Sequence, residues 1–269
     1  MDLEECVEQE HESSNIKESL NKLGYELFFQ PIVDPFDGSK ISRAEGLMRK
    51  FSFEENRYLS PYEFFPSNKS MTRNIDIFAF ESALQLLEEL DIFGHSKIPI
   101  NVNLSNETFK DSSLVDVLRD IHLKYPIVDP SLIQLEITED VLNYECSTLE
   151  DNLKRLYKYG YKIAVDDVGK GNSSIFRVVN YPVNCLKFDK SFVECLEKED
   201  NDSLTYAFMK KMMEIQYITS RDLEFVVEGV ETREQAKRFY DNFPPHKHQG
   251  YYYSKPIKKD EFLDKLYRE

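Results

Sequence analysis

The strongest constraint on this fold is a regular alternation of strand-like and helix-like segments from residue 97 to the end of the sequence. Such alternation is typical of a parallel α/β sheet with right-handed crossovers. Strands are predicted at 97–105, 132–138, 163–165, 183–189, 223–229 and 248–254. Helical periodicity covers 73–91, 112–124, 147–159, 190–196, 203–218, 232–240 and 259–268, and a short helix is predicted to start near residue 173.

Two further strand-like runs lie near the start of the chain. They read ELFFQPIV (26–33) and ISRAEGLM (41–48), with a DPFDG turn between them. This link is too short for a crossover helix, so the two strands are expected to pair antiparallel. Eight strands in 269 residues favour a closed TIM-like (β/α)8 barrel with an antiparallel first strand over an open sheet. Residues 50–70 are predicted to form a loop.

The domain organisation expected from these patterns is simple. Residues 1–22 are poor in apolar positions and predict a polar N-terminal arm or helix, so order is expected to begin near Tyr25 and the barrel to occupy 23–269. There is no apolar run of membrane-spanning length, and the acidic start is unlike a signal peptide. Four scattered cysteines suit reduced thiols. The sequence therefore predicts a cytoplasmic protein, or one module of a longer one.

The charge balance restricts the partners. The chain has 49 acidic and 34 Lys or Arg residues, which gives a net charge of −15. Polymeric nucleic acids and anionic membranes are bound through a basic face, so both are expected to be absent as partners. A small anionic ligand could still bind through metal ions and a few well-placed cations.

The segment KIAVDDVGKGNSS (162–174) combines a short apolar run with two adjacent acids, Asp166 and Asp167. A helix cap or a turn is the simpler explanation, but it would need only one aspartate. Two like charges at the end of a buried strand are costly unless a cation or protons neutralise them. The pair therefore favours a metal site, provided that other segments supply further ligands.

The other predicted strands also carry polar residues near their carboxyl ends. Taken singly, each could be a surface acid, a turn residue or a helix cap. In an α/β barrel, however, these strand ends converge on one face, where active sites lie. The pocket predicted there adds the following residues to the aspartate pair: Glu45, Asn103, Glu136, Lys187, Glu228 and Gln249.

The chemistry of this set indicates hard divalent cations. Carboxylate and amide oxygens in this number favour Mg²⁺ or Mn²⁺ over zinc. Asp166 could bridge two ions about 4 Å apart, with Asp167 on the second, and such a pair can clamp a phosphoryl group and a hydroxide for in-line attack. Lys187 could hold the attacking water or stabilise developing charge. His246 and His248 lie on one side of a strand; a zinc site is open there, but surface histidines are favoured because no third ligand is near.

In its motifs the chain resembles the EAL domain family, bacterial phosphodiesterases that hydrolyse cyclic di-GMP to linear pGpG. The resemblance spans about Tyr25 to Tyr267. It rests on these segments: QPIVD (30–34), AEGLMR (44–49), VNLS (102–105), LEITE (135–139), DDVGKGNSS (166–174), LKFDKSFV (186–193), VEGVET (227–232) and QGYYYSKP (249–256).

The resemblance implies roles for individual residues. Ligands of the first metal match Glu45, Asn103, Glu136 and Asp166, a ligand of the second matches Asp167, and Glu228 matches the glutamate at the metal-bound water. The expected catalytic residues are Glu45, Lys187, Glu228 and Gln249. The expected substrate contacts are Gln30, Leu47, Arg49, Asn103, Asp189, Glu231 and Pro256. Glu139 matches the glutamate that steadies the loop after the fifth strand, a loop that usually takes part in dimerisation, so a homodimer is expected.

The sequence also departs from the family pattern. Gly46 replaces the alanine of the Glu-Ala-Leu signature, and Val168, Lys170 and Asn172 replace the Phe, Thr and Tyr of the usual loop. Loss of two aromatic side chains predicts a loosely held second metal. The leading hypothesis is a metal-dependent cyclic di-GMP phosphodiesterase, the second is a cyclic di-GMP receptor with little or no catalysis, and the third is a protein-interaction domain.

Overall fold

The computed structural model describes residues 16–64, 69–94, 98–143, 146–169, 181–198, 203–217 and 223–268. The strands are β1 (Tyr25–Asp34), β2 (Lys40–Ser52), β3 (Arg57–Leu59), β4 (Ile100–Asn103), β5 (Ile133–Thr138), β6 (Lys162–Val168), β7 (Cys185–Phe188), β8 (Glu224–Val227) and β9 (Lys247–Gln249). The described helices are α1 (16–22), α2 (Pro61–Phe64), α3 (Lys69–Ile92), α4 (Asn106–Phe109), α5 (Leu114–His122), α6 (Ser147–Tyr159), α7 (Lys190–Lys198), α8 (Leu204–Glu214), α9 (Arg233–Asn242) and α10 (Lys259–Tyr267). No helix within these ranges is long and apolar enough to cross a bilayer.

Eight of these strands close into a barrel. The order around it is β1-β9-β8-β7-β6-β5-β4-β2, and β2 pairs with β1 to complete the circle. β1 is antiparallel to both neighbours, whereas the pairs from β2 and β4 round to β8 and β9 are parallel. The structure thus confirms the predicted TIM-like barrel with an antiparallel first strand. Because the parallel strands share one direction, their carboxyl ends open on one face.

The interior of the barrel changes character along its axis. A small apolar layer is made by Ile32, Ala164, Cys185 and Val226, all fully buried. On the amino-terminal side of that layer, Arg43 donates hydrogen bonds to side chains of β5 and β8. On the carboxyl-terminal side, the interior is filled by carboxylates, amides and one lysine. The apolar layer therefore closes the floor of a polar pocket that opens at the strand ends.

Three local expectations are wrong. The predicted strand 248–254 ends at Gln249, because the N–H groups of Tyr253 and Ser254 both turn back to the carbonyl of Gly250. The segment 50–70 was expected to be a loop, but β3 pairs with β2 there, the short helix α2 follows, and the long helix α3 begins at Lys69. Regular structure begins before Tyr25, since α1 covers residues 16–22 and its Leu20 is buried in the core.

Several other expectations fall outside the described residues. Residues 1–15 of the predicted arm are among them, as are the short helix near residue 173 and the loop positions Lys170 and Asn172. Within the described chain, Val168 is buried and pairs with Phe188 of β7, so this replacement for the family phenylalanine is part of the sheet core.

His246 and His248 are buried, not surface residues as the sequence suggested. His246 directly precedes β9 and His248 lies within it; the two rings are on the same side of the chain, with their Nε2 atoms 2.7 Å apart. Burial lowers the pKa of His246 to about 4 and that of His248 to about 3, because the charged imidazolium would lose its hydration. Both imidazoles are therefore neutral in the folded protein at neutral pH.

This pair is expected to make the fold sensitive to mild acid. In the unfolded chain each imidazole takes up a proton near pH 6.5, whereas the folded protein takes it up only near pH 3 to 4. The stabilisation is therefore complete above pH 6.5 and is lost as the pH falls toward 4. At pH 4.5 the loss amounts to about 2–3 kcal/mol per histidine. Urea unfolding of wild type and His248→Asn between pH 4.5 and 7.5 measures it, and the free-energy difference between the two should shrink toward acid pH. A constant difference would contradict the prediction.

Candidate active site

The centre of the polar pocket is Lys187 on β7, whose side chain is fully buried. Its Nζ lies 2.8 Å from Glu136 Oε2, 3.1 Å from Glu45 Oε2 and 2.7 Å from Glu228 Oε1. A fourth carboxylate, Asp166, places Oδ1 3.3 Å from the same nitrogen. The barrel thus gathers acids from β2, β5, β6 and the end of β8 around one ammonium group.

An ammonium group has three protons, and four carboxylates compete for them. Asp166 Oδ1 is an ion-pair contact without a hydrogen bond, and it is buried. The formal charges are also unbalanced, because four ionised carboxylates carry −4 and Lys187 carries +1. The pocket therefore keeps an uncompensated negative charge and a buried acceptor that no proton satisfies.

Amide side chains fix the orientation of the acids. Asn103 Nδ2 donates to Glu45 Oε1 at 2.7 Å, and Asn101 Nδ2 donates to Glu136 Oε1 at 2.6 Å. Gln249 Nε2 donates to Glu45 Oε2 at 2.6 Å and to Gln30 Oε1 at 3.2 Å. Because each amide uses its N–H groups on an acid or on another amide, its carbonyl oxygen is left to accept. Gln249 Oε1 and Asn101 Oδ1 are such acceptors, buried and without a hydrogen bond.

Burial and charge act in opposite directions on these groups. Burial raises the pKa of Glu136 well above its ordinary value, and the charge of Glu45 adds to the effect. Burial likewise raises the pKa of Glu228, against the opposing charge of Lys187. For Glu45, burial is outweighed by Lys187 and by the amides of Gln249 and Asn103, so its pKa is lowered. The pKa of Lys187 is raised, because its four acids outweigh burial. Protons thus replace part of the missing positive charge.

The donor set fits a hard divalent cation. The oxygens are carboxylate and amide oxygens, negative charge is in excess, and Asp166 Oδ1 is a buried acceptor that receives no hydrogen bond. Among the described Asp, Glu, His and Cys side chains, no three are grouped as the ligands of one metal ion. The physical reason lies in Lys187, whose ammonium occupies the point on which the acids converge.

The end of β6 is shaped by an unusual backbone. Asp167 has a φ of 55°, in the left-handed region that non-glycine residues seldom occupy. The pairing of β6 with β7 is also irregular between Val165 and Val168. Both features show that the regular pairing of β6 is interrupted at the aspartate pair. Gly169, the first residue after β6, donates its N–H to Glu139 Oε2 at 2.9 Å.

A model of the EAL domain matches residues 13–256 of this chain. The chain belongs to the EAL domain family. Curated relatives include the cyclic di-GMP phosphodiesterase NbdA of Pseudomonas aeruginosa, 28% identical over 90% of this chain and 30% of its own length. The probable cyclic di-GMP phosphodiesterase PdeB of Escherichia coli is 30% identical over 87% of this chain and 43% of its length. This EAL chain thus spans less than half the length of these two relatives.

Solved EAL structures share the fold. The phosphodiesterase domain of MucR, in complex with c-di-GMP, superposes with a TM-score of 0.80 at 25% identity, covering 93% of this chain and 98% of that one. An EAL domain protein from Listeria monocytogenes superposes with a TM-score of 0.77 at 26% identity, covering 96% and 98%. The barrel described above is therefore the architecture of the EAL family.

The remaining predicted site residues are spread around the mouth of the pocket. Gln30 is buried, and Nε2 donates to the carbonyl of Ser254 at 3.0 Å. Leu47 and Arg49 follow Glu45 along β2 and are half-buried. Pro256 is half-buried beside β1, where Phe29 and Ile257 exchange backbone hydrogen bonds.

For two of the predicted substrate contacts, the described hydrogen bonds are made at the starts of helices and not with the acid cluster. Asp189 Oδ1 accepts the Ser191 N–H at 3.0 Å at the start of α7, a role that a helix start also requires. Glu231 is exposed before α9, and its own N–H is bonded to Gln235 Oε1 at 2.6 Å. The hydrogen bonds described for these two residues are structural.

Sequence reasoning missed two residues that hold the site together. Asn101 is fully buried and anchors Glu136, and it lies two residues before Asn103. The period of two in the run Asn101-Val102-Asn103 was the available signal, since alternate residues of a strand share one face. Asp76 of α3 accepts from Ser105 N at 2.8 Å and from Thr108 Oγ1 at 2.7 Å, which fixes the loop after Asn103. Nothing in the local sequence of a helix indicates that contact.

Gly46 stands where the EAL signature has alanine, and the structure shows how much room an alanine would have. An added Cβ would lie 3.1 Å from Leu27 Cδ2 and 3.3 Å from the Asn101 carbonyl. The closer neighbour is the end of a flexible side chain. Gly46→Ala is therefore expected to change the free energy of unfolding by less than about 1 kcal/mol, since the gain in chain stiffness offsets the crowding. Urea unfolding measures this, and a loss above about 2 kcal/mol would show that Leu27 cannot yield.

Proposed function

We propose that this EAL domain hydrolyses cyclic di-GMP to linear pGpG, with two divalent ions, Mg²⁺ or Mn²⁺, as cofactors. The observation that supports it most is the convergence of Glu45, Glu136, Asp166 and Glu228 on one point of a barrel mouth. The named phosphodiesterases among the relatives support the substrate. The excess negative charge of the pocket would hold divalent cations, and these would reverse the local charge and allow an acidic protein to bind a ligand with two phosphodiester groups.

The proposed ligands of the ions are Glu45, Asn103, Glu136, Asp166, Asp167 and Glu228. When bound, the ions would activate a water molecule and polarise the phosphoryl group for in-line displacement. Asn103 is suited to this set because its N–H is engaged by Glu45, which leaves Oδ1 for the cation.

The protein's own part in the chemistry is charge placement and orientation. Lys187 carries a charge on a fully buried side chain, where it would stabilise negative charge on the phosphoryl oxygens or hold the attacking water. Gln249 presents the buried acceptor Oε1 from a side chain fixed by Glu45 and Gln30, and so can orient a hydroxyl or water. Gln30, Leu47, Arg49, Asp189, Glu231 and Pro256 are proposed to contact the substrate around the mouth.

The direct test is an assay of purified protein with cyclic di-GMP and either Mg²⁺ or Mn²⁺, followed by separation of pGpG. We expect turnover that depends on the metal and that Glu45→Ala abolishes. Asp37→Ala serves as the control, because Asp37 is an exposed acid that pairs with Lys40 in the turn between β1 and β2, at the opposite end of the barrel from the cluster. Absence of pGpG from folded protein with either metal would refute the proposal, as would an unchanged rate in Glu45→Ala.

One observation favours a second candidate, a cyclic di-GMP receptor without catalysis. Lys187 already neutralises part of the acid cluster, and the described acids are not grouped as metal ligands. A receptor would bind cyclic di-GMP in calorimetry and release no pGpG. Binding with turnover supports the enzyme, and binding without turnover supports the receptor.

Three further proposals concern the domain bounds, the oligomeric state and the cellular location. Residues 1–22 are proposed as a polar N-terminal arm or helix, whose described part α1 packs on the barrel through Leu20, and 23–269 as the phosphodiesterase domain. A homodimer is proposed through the loop after β6, and light scattering at several concentrations tests it. A cytoplasmic location, without nucleic-acid polymers or membranes as partners of this chain, fits the net charge of −15 and a nucleotide second messenger.

A further inference from the structure

Two buried histidines next to Gln249 are not used by the proposed chemistry. His248 lies on β9 and His246 directly before it, and each of their four ring nitrogens is close to a polar atom. His246 Nδ1 is 2.6 Å from the carbonyl of Pro244, the two Nε2 atoms are 2.7 Å apart, and His248 Nδ1 is 2.8 Å from Tyr253 Oη. The four groups form one continuous chain of contacts, from the loop before β9 to the turn after it.

The direction of every hydrogen bond in this chain follows from its fixed end. The carbonyl of Pro244 can only accept, so His246 carries its proton on Nδ1 and its Nε2 is an acceptor. The 2.7 Å contact then requires a proton on His248 Nε2. With both rings neutral, His248 Nδ1 accepts, and the Tyr253 hydroxyl donates to it. Neutral rings are what burial favours at these two positions.

The far end of the chain reaches the glutamine pair of the active site. Tyr253 belongs to the turn 250–254, which is closed by the N–H groups of Tyr253 and Ser254 on the carbonyl of Gly250. The carbonyl of Ser254 receives Gln30 Nε2 at 3.0 Å, and Gln30 Oε1 receives Gln249 Nε2 at 3.2 Å. The position of Tyr253 is thus passed on to Gln30 through one residue of backbone.

We infer that His246, His248 and Tyr253 form a chain of hydrogen bonds with fixed donor and acceptor roles, which we call the relay. The relay positions the turn 250–254 and, through it, the Gln30 side chain for substrate. The three act as positioning residues, since none of their described contacts is with the acid cluster. The relay rests on the proposed function for its effect on substrate, whereas its hydrogen-bond directions are a property of the protein alone. The ring contacts among Phe239, His246 and His248 hold the relay in place from the side of α9.

The first test reads the tautomers directly. Long-range ¹H–¹⁵N spectra of ¹⁵N-histidine-labelled protein at pH 7 distinguish a proton on Nδ1 from one on Nε2. We expect the Nδ1–H form for His246 and the Nε2–H form for His248. The reverse assignment, or a charged ring, would overturn the relay. A shift of both rings with one equivalent of Zn²⁺ would overturn it too, and would indicate a metal site instead. This test is independent of whether cyclic di-GMP is the substrate.

The second test measures substrate handling in the full chain. Tyr253→Phe removes only the donated hydroxyl, and we expect KM for cyclic di-GMP to rise about tenfold while kcat stays within about twofold. The matched control is Tyr252→Phe at an exposed neighbouring ring, which should leave both constants unchanged. A purely structural role for Tyr253 would lower the fraction of folded enzyme and hence kcat, with KM unaltered, and that result would overturn the inference.

A conservative pair of substitutions guards against variants that fail to fold. His248→Asn keeps an acceptor near the position of Nδ1, whereas His248→Leu removes it. We expect KM in His248→Asn to lie nearer to wild type than in His248→Leu. Equal KM values in the two folded variants would count against the relay. Loss of binding and turnover in wild type itself would refute the proposed function, and the tautomers would still decide the relay.

Discussion

Replacing Lys187 by methionine is expected to reduce the turnover of cyclic di-GMP by about 10³-fold or more and to destabilise the fold by about 3–5 kcal/mol. The volume of the side chain is nearly conserved, so packing is kept while the charge is lost. Four carboxylates within 3.3 Å of Nζ then face one another without their central cation. They must take up protons or repel, and either outcome costs folding free energy.

Divalent cations provide a second measurement on the same variant. Because Lys187→Met leaves more negative charge in the pocket, Mg²⁺ or Mn²⁺ should raise its midpoint of urea unfolding more than that of wild type. Lys190→Met is the control: this lysine is exposed, pairs with Glu194 and lies three residues away. Its stability and turnover should match those of wild type. Stability of Lys187→Met within about 0.5 kcal/mol of wild type would show that the ammonium does not balance the acids.

Gly250→Ala is expected to destabilise the protein by about 2–4 kcal/mol and to remove most of the activity. An added Cβ would lie 2.1 Å from the carbonyl oxygen and 2.4 Å from the nitrogen of Val230. Both are backbone atoms that also take part in hydrogen bonds, from Val230 N to the Gln249 carbonyl and from Tyr252 N to the Val230 carbonyl. Relief of the clash must therefore break these bonds and shift Gln249 away from Glu45.

The matched control for this variant is Gly46→Ala. Both glycines are buried next to site residues, but the nearest atom at Gly46 belongs to the Leu27 side chain, which can move. Urea unfolding and turnover of the two variants should separate clearly, with Gly250→Ala much the weaker in both. Near-equal stabilities would mean that the Val230 backbone yields as easily as a leucine side chain.

The fold was largely readable from the chain because its signals are local. Apolar runs of strand length, separated by helical periods, were enough to predict the barrel, and the short DPFDG link was enough to predict the reversed first strand. One failure came from a tertiary contact that local signals do not contain. The run after Gln249 has strand-like composition, but hydrogen bonds to the Gly250 carbonyl turn it, and those bonds depend on the closely approached Val230 backbone.

For the candidate site, strand ends predicted the convergence of Glu45, Glu136, Asp166 and Glu228, and they placed Lys187 nearby. The chain could not predict that one ammonium lies within 3.3 Å of all four acids, since that depends on how five strands are staggered around the barrel. Asn101 escaped notice for a similar reason. The register pairs Asn101 with Gln134, and the Asn101 side chain reaches Glu136 two residues further along β5, a diagonal contact that only the closed barrel reveals.

The sequence by itself determined the order and type of the elements and the polar character of the strand ends, because backbone preference and hydrophobic period are properties of neighbouring residues. Only the tertiary structure decided which oxygens share one proton donor, and which histidines are buried and neutral. Those are relations between residues more than a hundred positions apart in the case of Lys187 and Glu45, and they exist only once the barrel has closed.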